Sequence, residues 1–423
     1  MPEALRVMLP KMLRIRQNFP RPRVADIPQA VAATLGAAGL RIARGDTVAV
    51  GAGSRGIANI ATIVGATVKY LRDLGAKPFV FPAMGSHGGG TPEGQLSVLE
   101  RYGITEAAMG CPIRATMDVV PVGEALGLPV WLDRHASDAD WIGLVNRVKP
   151  HTDFKGAIES GLFKMMTIGL GKYRGALQYH RANIHHGYET VITAVGREML
   201  ARARIAFGVG IVENGYDETA RVEAFNADDL EAGERRLLKD AREWMARLPF
   251  SPIDVLVVEE IGKNISGAGM DTNVIGRPSN PHEPFPADPK ILWIVALDMT
   301  EESGGNATGI GNADFTTRRL AEKIDWKPTA INCLTACAPN GAKLPLVFDS
   351  DREAVENALN CIGLTKPEQA RVIRIKNTLV LGEIECSEVF QPEIAKRPDL
   401  VVVGEGRSLA FDAAGQIVPL LDH

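Results

Sequence analysis

The beginning of the chain alternates short apolar runs with segments of helical periodicity. Apolar residues over Thr47–Gly51 and Pro78–Pro82 predict two buried strands. Between them, Ile57–Leu74 carries apolar residues at helical spacing, and Gly75 follows where a C-terminal cap is expected. A second helix is predicted over Pro92–Tyr102. Strands that alternate with helices imply a parallel sheet, whose ligands bind at the carboxyl ends of the strands.

The same pattern continues to the middle of the chain. It predicts a strand at Trp141–Val145, a polar glycine-rich stretch over 146–187, a helix at Tyr188–Arg204, strands at Ile205–Val212 and Arg221–Phe225, and a helix at Asp228–Leu248. Pro249-Phe-Ser-Pro252 follows, and two prolines so close together end a helix. We therefore predict an N-terminal α/β domain over residues 1–249, which carries the candidate chemistry described below.

The second half of the chain restarts the alternation after this boundary. The predicted elements are strands at Asp254–Val258 and Ile291–Leu297, a helix at Asn312–Ile324, a strand at Ala330–Leu334, a helix at Asp351–Ile362, a strand at Leu400–Val403 and a hairpin at Ser408–Pro419. They form a C-terminal α/β domain over residues 250–423. The predicted fold class is α/β, with two Rossmann-like α/β domains and an active-site cleft between them.

Composition narrows the function classes. The 423 residues are 45% hydrophobic and 23% charged, and 47 basic against 51 acidic residues give a net charge of −4. This balance gives no reason to expect nucleic acid or a membrane surface as partner. Five scattered cysteines argue against a disulfide framework, and neither a signal peptide nor a membrane span is predicted. We expect a cytoplasmic protein. Its oligomeric state stays open, and a homo-oligomer is one alternative.

Two histidines follow predicted strands directly. His87 stands in Met84-Gly-Ser-His87-Gly-Gly-Gly90, and His151 ends Arg147-Val-Lys-Pro-His151. Imidazole changes charge near neutral pH, so two of them that face one substrate could exchange a proton in either direction. The alternative is that each is a loop histidine bonded to local backbone.

A glycine-rich turn and a lysine segment are further candidates. Gly51-Ala-Gly53-Ser54-Arg55-Gly56 joins a strand to a helix, which favours an anion, with Arg55 as a bidentate donor. Lys164 in Ser160-Gly161-Leu-Phe-Lys164 has apolar neighbours, and burial would make its amine nucleophilic. His180 could ligate a metal. The alternatives are an ordinary turn, a lysine that extends to solvent and a surface histidine.

Together these motifs resemble the nickel-pincer lactate racemase family. The order is Gly-x-Gly-x-Arg after a strand, Gly-x-His after the next, then Pro-His, Ser-Gly-x-x-Lys and a downstream histidine, from about Gly51 to His180. The resemblance implies a nickel-pincer nucleotide, which is pyridinium-3,5-bisthiocarboxylic acid mononucleotide with nickel. Lys164 would lie against or bond to a thio-acyl arm, and His180 would ligate nickel.

The resemblance also implies roles for the other candidates. His87 and His151 would be the acid/base pair, while hydride passes from the substrate α-carbon to the cofactor and back. Gly53, Ser54 and Arg55 would bind the cofactor, with Arg55 also on the substrate carboxylate. Asp314 and Arg318 occupy roughly the region where the family has a substrate-binding glutamine and lysine.

The expected activity is racemisation or epimerisation of a small-molecule 2-hydroxy acid. The chain departs from the family pattern at Ala52, where an aspartate is usual, and at Leu162, where a glycine is usual. The substrate therefore stays open between a lactate-like acid and a larger sugar acid. Two alternatives remain, a zinc-dependent hydrolase with Asp153 as an additional ligand and a non-catalytic cofactor-binding homologue. The glycine-rich loop over 262–273 has no assigned role.

Overall fold

The computed structural model describes residues 8–53, 56–278, 280, 285 and 288–421. The chain divides into two compact units, each treated separately below. The N-terminal unit is Pro20–Met245, and the C-terminal unit combines Met1–Phe19 with Ala246–His423. The sequence prediction placed all of residues 1–249 in one domain, whereas the structure groups the first strand with the C-terminal part of the chain.

The strands of the described residues are β1 Lys11–Gln17, β2 Thr47–Ala52, β3 Lys77–Pro82, β4 Val119–Ala125, β5 Leu128–Asp133, β6 Trp141–Arg147, β7 Ile205–Glu213, β8 Thr219–Asn226, β9 Ile253–Ile261, β10 Ile291–Met299, β11 Phe315–Thr317, β12 Leu346–Phe348, β13 Val372–Ile375, β14 Glu383–Ser387, β15 Leu400–Val402 and β16 Arg407–Ser408.

The α-helices of the described residues are α1 Ile27–Ala37, α2 Ile60–Asp73, α3 Pro92–Arg101, α4 Glu106–Met109, α5 Arg134–Asp138, α6 Leu162–Lys164, α7 Lys172–His186, α8 Tyr188–Arg202, α9 Leu230–Trp244, α10 Thr272–Ile275, α11 Arg318–Glu322, α12 Trp326–Thr335, α13 Asp351–Asn360 and α14 Gln391–Ile394. A π-helical turn, Met165–Gly169, lies between α6 and α7. None of the helices described is long and apolar enough to cross a membrane.

A five-stranded sheet forms the centre of the N-terminal unit. Its order is β3-β2-β6-β7-β8, parallel except for β8, and β4 and β5 form a separate antiparallel pair. Apolar side chains of α1 and α2 pack in one core cluster, and those of α8 and α9 pack in another. Parallel strands covered on both faces read as continuous apolar runs, which is why β2 and β7 were visible in the sequence.

A nine-stranded mixed sheet forms the centre of the C-terminal unit. The order is β12-β11-β10-β9-β13-β14-β1-β15, and β16 pairs with β1. β1 runs antiparallel to β14, where Ile15 faces Ile384 in the core. Arg14 and Arg16 both reach Glu383 of β14, at 2.7 and 2.9 Å. These contacts hold β1 in this unit, although β1 and β14 are far apart in the sequence.

The predicted α/β class is confirmed, but the predictions of several individual elements are wrong. Ala330–Leu334, predicted as a strand, lies inside helix α12, and the predicted helix Asn312–Ile324 contains β11 followed by the short helix α11. A short apolar run fits a strand or a buried helix equally well, so periodicity alone could not separate them. Helix α7 went unrecognised inside the polar stretch because glycines lie around its start.

Candidate functional site

Three loops with predicted site residues leave the same edge of the N-terminal sheet. Gly53 directly follows β2, the turn His87–Gly90 comes after β3, and His151 comes after β6. Because β2 pairs in parallel with both β3 and β6, the carboxyl ends of these strands lie together. That edge is where open α/β sheets bind ligands.

The loop over residues 149–160 is folded around one buried carboxylate. Lys149 and Ser160 close the loop by two backbone hydrogen bonds of 2.8 and 3.2 Å. Glu159 is 0% exposed and accepts the backbone N–H of His151 at 2.6 Å. Arg242 of α9 donates to Glu159 at 2.5 Å. The carboxylate therefore fixes the backbone of His151 with respect to α9.

His151 and Lys164 are in direct contact. The His151 side chain is 4% exposed, and its Nε2 lies 2.6 Å from Nζ of Lys164. Its Nδ1 accepts a hydrogen bond from the backbone N–H of Asp153 at 3.0 Å. Which of the two nitrogens donates depends on the tautomer of the histidine and on the charge of the lysine. A lysine amine is nucleophilic in its uncharged form.

Aromatic rings cover this pair and connect it with His180. Tyr188 begins α8 and stacks on Phe154 with centroids 5.2 Å apart. The Tyr188 ring lies 5.7 Å from the His151 ring and 6.2 Å from the His180 ring. His151 and His180 therefore lie near the same tyrosine, and Lys164 contacts the first of them.

The glycine-rich turn after β2 is connected to the lysine segment by one amide. Asn146 at the end of β6 donates to the backbone oxygen of Gly161 at 2.9 Å. A Cβ at Gly53 would collide with the Asn146 side chain, so this glycine permits the close approach. Ser54 and Arg55, predicted to bind the cofactor, lie outside the described residues.

His87 is half-buried in a 3-10 turn that rests on the start of α7. Gly88 and Gly89 of this turn have φ values of 62° and 70°, a conformation that glycine adopts without strain. A Cβ at Gly85 would lie 3.0 Å from Ile168 and 3.0 Å from Ala176. The backbone before His87 thus packs on the segment that joins Lys164 to His180.

Sequence reasoning missed a second buried carboxylate beside Lys164. Glu234 of α9 is 0% exposed and accepts the backbone N–H of Phe163 at 2.8 Å. Burial raises the pKa of this carboxyl to about 8, against the hydrogen bonds it receives from Phe163 and Leu162. It holds the first turn of the helical segment that carries Lys164. A glutamate on an otherwise amphipathic helix gave no local signal of burial.

The two predicted substrate residues of the C-terminal unit have partners within that unit. Asp314 pairs with Arg277 at 2.6 Å and accepts the backbone N–H of Ile294 at 2.8 Å. Arg318 is exposed and pairs with Asp349 at 2.5 Å. The role predicted for them stays a prediction.

The site defines a class of protein, an α/β protein with a part-buried lysine in contact with a buried histidine at the carboxyl edge of a parallel sheet. Within the described residues, no group of three or more histidine, cysteine, aspartate or glutamate side chains is arranged to hold a metal ion.

The fold is similar to that of the lactate racemase apoprotein from Thermoanaerobacterium thermosaccharolyticum. The TM-score is 0.53 at 13% sequence identity, over 88% of this chain and 94% of that chain. No family model and no curated protein matches the chain in sequence. At this identity the likeness extends to the fold, which is of the lactate racemase type.

Proposed function

We propose that this protein is an isomerase that racemises or epimerises a 2-hydroxy acid with a nickel-pincer nucleotide. The observation that carries the proposal is the contact between the Lys164 amine and the His151 imidazole, with His180 at the same tyrosine as His151. The lactate racemase-like fold supports it, since the site lies at the ligand-binding edge of the sheet.

The side chains present fit the chemistry of such a cofactor. The amine of Lys164 suits a thio-acyl arm, because in its uncharged form it can attack an electrophilic carbon. The imidazole of His180 suits nickel. Gly53 directly follows β2, and a glycine-rich sequence between a strand and a helix is a place where backbone N–H groups bind phosphate. When bound, the nucleotide supplies the acceptor for the hydrogen of the substrate α-carbon.

The residues of the chain provide proton transfer and positioning. Nε2 of His151 faces Lys164, and its Nδ1 accepts the backbone N–H of Asp153. We assign removal and return of the substrate hydroxyl proton to His151 on one face and to His87 on the other. Phe154 and Tyr188 keep the region dry, which strengthens each hydrogen bond to the substrate. Arg55 is proposed to bind the substrate carboxylate.

The substrate is proposed to be a lactate-like acid or a larger sugar acid. A carboxylate and an adjacent hydroxyl match a guanidinium and an imidazole, whereas nothing in this donor set selects the rest of the molecule. Asp314 and Arg318 are kept as proposed substrate residues.

The test uses full-length protein produced in cells that synthesise the nickel-pincer nucleotide. We expect about one nickel per chain, a nucleotide mass associated with Lys164, and interconversion of the enantiomers of at least one 2-hydroxy acid. Lys164→Ala should lose the nucleotide, while Lys239→Ala on the exposed face of α9 should keep it. His87→Ala and His151→Ala should retain nickel but lose about 10²- to 10⁴-fold in turnover.

Two results would overturn the proposal. Zinc in place of nickel, with no nucleotide, would indicate a hydrolase. A bound nickel nucleotide without turnover of any 2-hydroxy acid in either direction would indicate a protein that carries the cofactor.

A further inference from the structure

Between Lys164 and His180 in the sequence lies a buried lysine that the proposed chemistry does not use. Lys172, the first residue of α7, is 0% exposed, and its backbone has a φ of 53°. A charge in the interior needs a partner, and Asp133, also 0% exposed, provides one at 3.0 Å. Burial lowers the pKa of Lys172, and the Asp133 carboxylate opposes that shift.

The other contacts of this ammonium lead to the loop that carries His87. Lys172 Nζ donates to the backbone oxygen of Pro82 at 2.5 Å and to Oε1 of Gln95 at 3.2 Å. Gln95, 0% exposed on α3, donates in turn to the backbone oxygens of Met84 and Gly85, both at 3.0 Å. Three carbonyls of the segment before His87 are therefore held by one connected group of side chains.

The same lysine is rigidly connected to the proposed nickel ligand. Lys172 and His180 lie on one helix, eight residues and thus about 12 Å apart along its axis. A packed helix transmits position over this distance with little play. The position of the His87 turn is therefore fixed relative to the helix that carries His180.

Stability alone does not account for this arrangement. Apolar side chains of similar volume commonly replace a buried ion pair without loss of stability. What an apolar group cannot do is hold three named backbone oxygens at hydrogen-bond distance, which is what Lys172 and Gln95 do. A fully bonded buried network gives a loop one defined conformation.

We propose that Lys172 and Gln95 are positioning residues, which fix the His87 imidazole relative to His180 and so set its reach to the substrate. This inference rests on the proposed function, in which His87 is an acid/base residue. Neither side chain is proposed to touch the substrate or the cofactor.

The test removes the hydrogen bonds to the loop without leaving a charge unpaired. Gln95→Met keeps the side-chain volume and the Lys172–Asp133 pair but loses every bond of the amide. Gln95→Glu keeps an acceptor for Lys172 but lacks the two N–H donors. The matched control is Gln178→Met on the same helix as His180, whose amide bonds Pro129 and Trp131 at 2.9 Å.

In the nickel-loaded protein, we expect both Gln95 variants to lose about 10- to 100-fold in kcat with KM changed less than about twofold. The control should keep kcat, and all three variants should retain nickel. Without reference to activity, hydrogen exchange of the amides over 83–90 should accelerate about tenfold or more in the Gln95 variants alone. The His87 ring signals in a histidine-labelled NMR spectrum should shift with them.

Equal kcat and equal exchange over 83–90 in Gln95→Met and Gln178→Met would overturn the inference. Faster exchange with unchanged kcat would also overturn it, because the loop position would then not matter to the reaction. If the wild-type protein turns over no 2-hydroxy acid, the proposed function fails separately. The exchange rates and the His87 signals then decide whether these residues hold the turn.

Discussion

Four buried charged side chains of the N-terminal unit contact segments that carry candidate site residues. Glu159 bonds the backbone of His151, Glu234 bonds the turn before Lys164, and Lys172 with Asp133 bonds the segment before His87. Buried charge is costly, so it persists where position is worth the cost. At the residue scale, buried polar groups rather than apolar packing hold these segments in position.

Glu234 gives a pH-dependent prediction of defined sign. Its pKa is about 8 in the folded protein and 4.5 without burial. Between these values the unfolded chain has lost the proton that the folded chain keeps, so the free energy of unfolding falls as pH rises, by up to about 1.4 kcal/mol per pH unit. Below pH 4.5 and above pH 8 this contribution is constant.

Glu234→Gln should remove that slope, because its amide oxygen still accepts from Phe163 but does not titrate. Urea unfolding at a series of pH values measures it. The control is Glu231→Gln on the same helix, where the hydrogen bond from Arg197 lowers the pKa of Glu231 to about 2. That variant should leave the slope between pH 5 and 8 intact. An unchanged slope in Glu234→Gln would show that another group is responsible.

Among the elements, the π-helical turn between α6 and α7 sets how closely the strand-end loops approach. Gly169 ends this turn, and a Cβ at this position would meet the backbone oxygen of Ala83, which follows β3. The absence of a side chain lets α7 lie close to the loop that carries His87. A π-helical turn at such a place is often associated with function.

Gly169→Ala should separate these elements. Its Cβ would lie 2.6 Å from the Ala83 oxygen, a backbone atom that cannot move aside cheaply. We expect a loss of about 1–3 kcal/mol in the free energy of unfolding, measured with urea. Gly36→Ala in α1 is the control, since only the Tyr70 hydroxyl is near, at 3.9 Å. It should be neutral or stabilise by up to about 1 kcal/mol. Equal effects would contradict the packing argument.

At the scale of the whole molecule, each unit has its own sheet and its own core clusters. The C-terminal unit takes its strand β1 from the beginning of the chain and places it between β14 and β15. A change in β1 is therefore expected to act on strands that are far away in sequence and not on the unit that follows it directly.

Ile15→Ala in β1 should destabilise the C-terminal unit by about 2–5 kcal/mol, because Ile15 is 0% exposed. Hydrogen exchange should accelerate in β14 and β15, and much less in β7. Ile211→Ala in β7, also at a 0% exposed position, should give the reverse pattern. Acceleration in β7 for both variants would contradict the division into units.

The sequence by itself determined the α/β class, most elements of the N-terminal unit and the order of its strand-end loops. Those features follow from local periodicity, and the parallel pairing of β2 with β3 and β6 brings their carboxyl ends to one edge. His87, His151 and Lys164 could be predicted as site residues because each lies beside a recognisable strand end or glycine motif, and their roles stay predictions.

Only the tertiary structure decided which residues are buried together. Lys172, Glu159 and Glu234 have the chemistry of surface residues in the sequence, and each is buried against a partner between 71 and 90 positions away. Contacts between distant parts of the chain also decided the position of β1 in its sheet and the helical conformation of α12. Pairing and burial depend on distant contacts, which local periodicity does not encode.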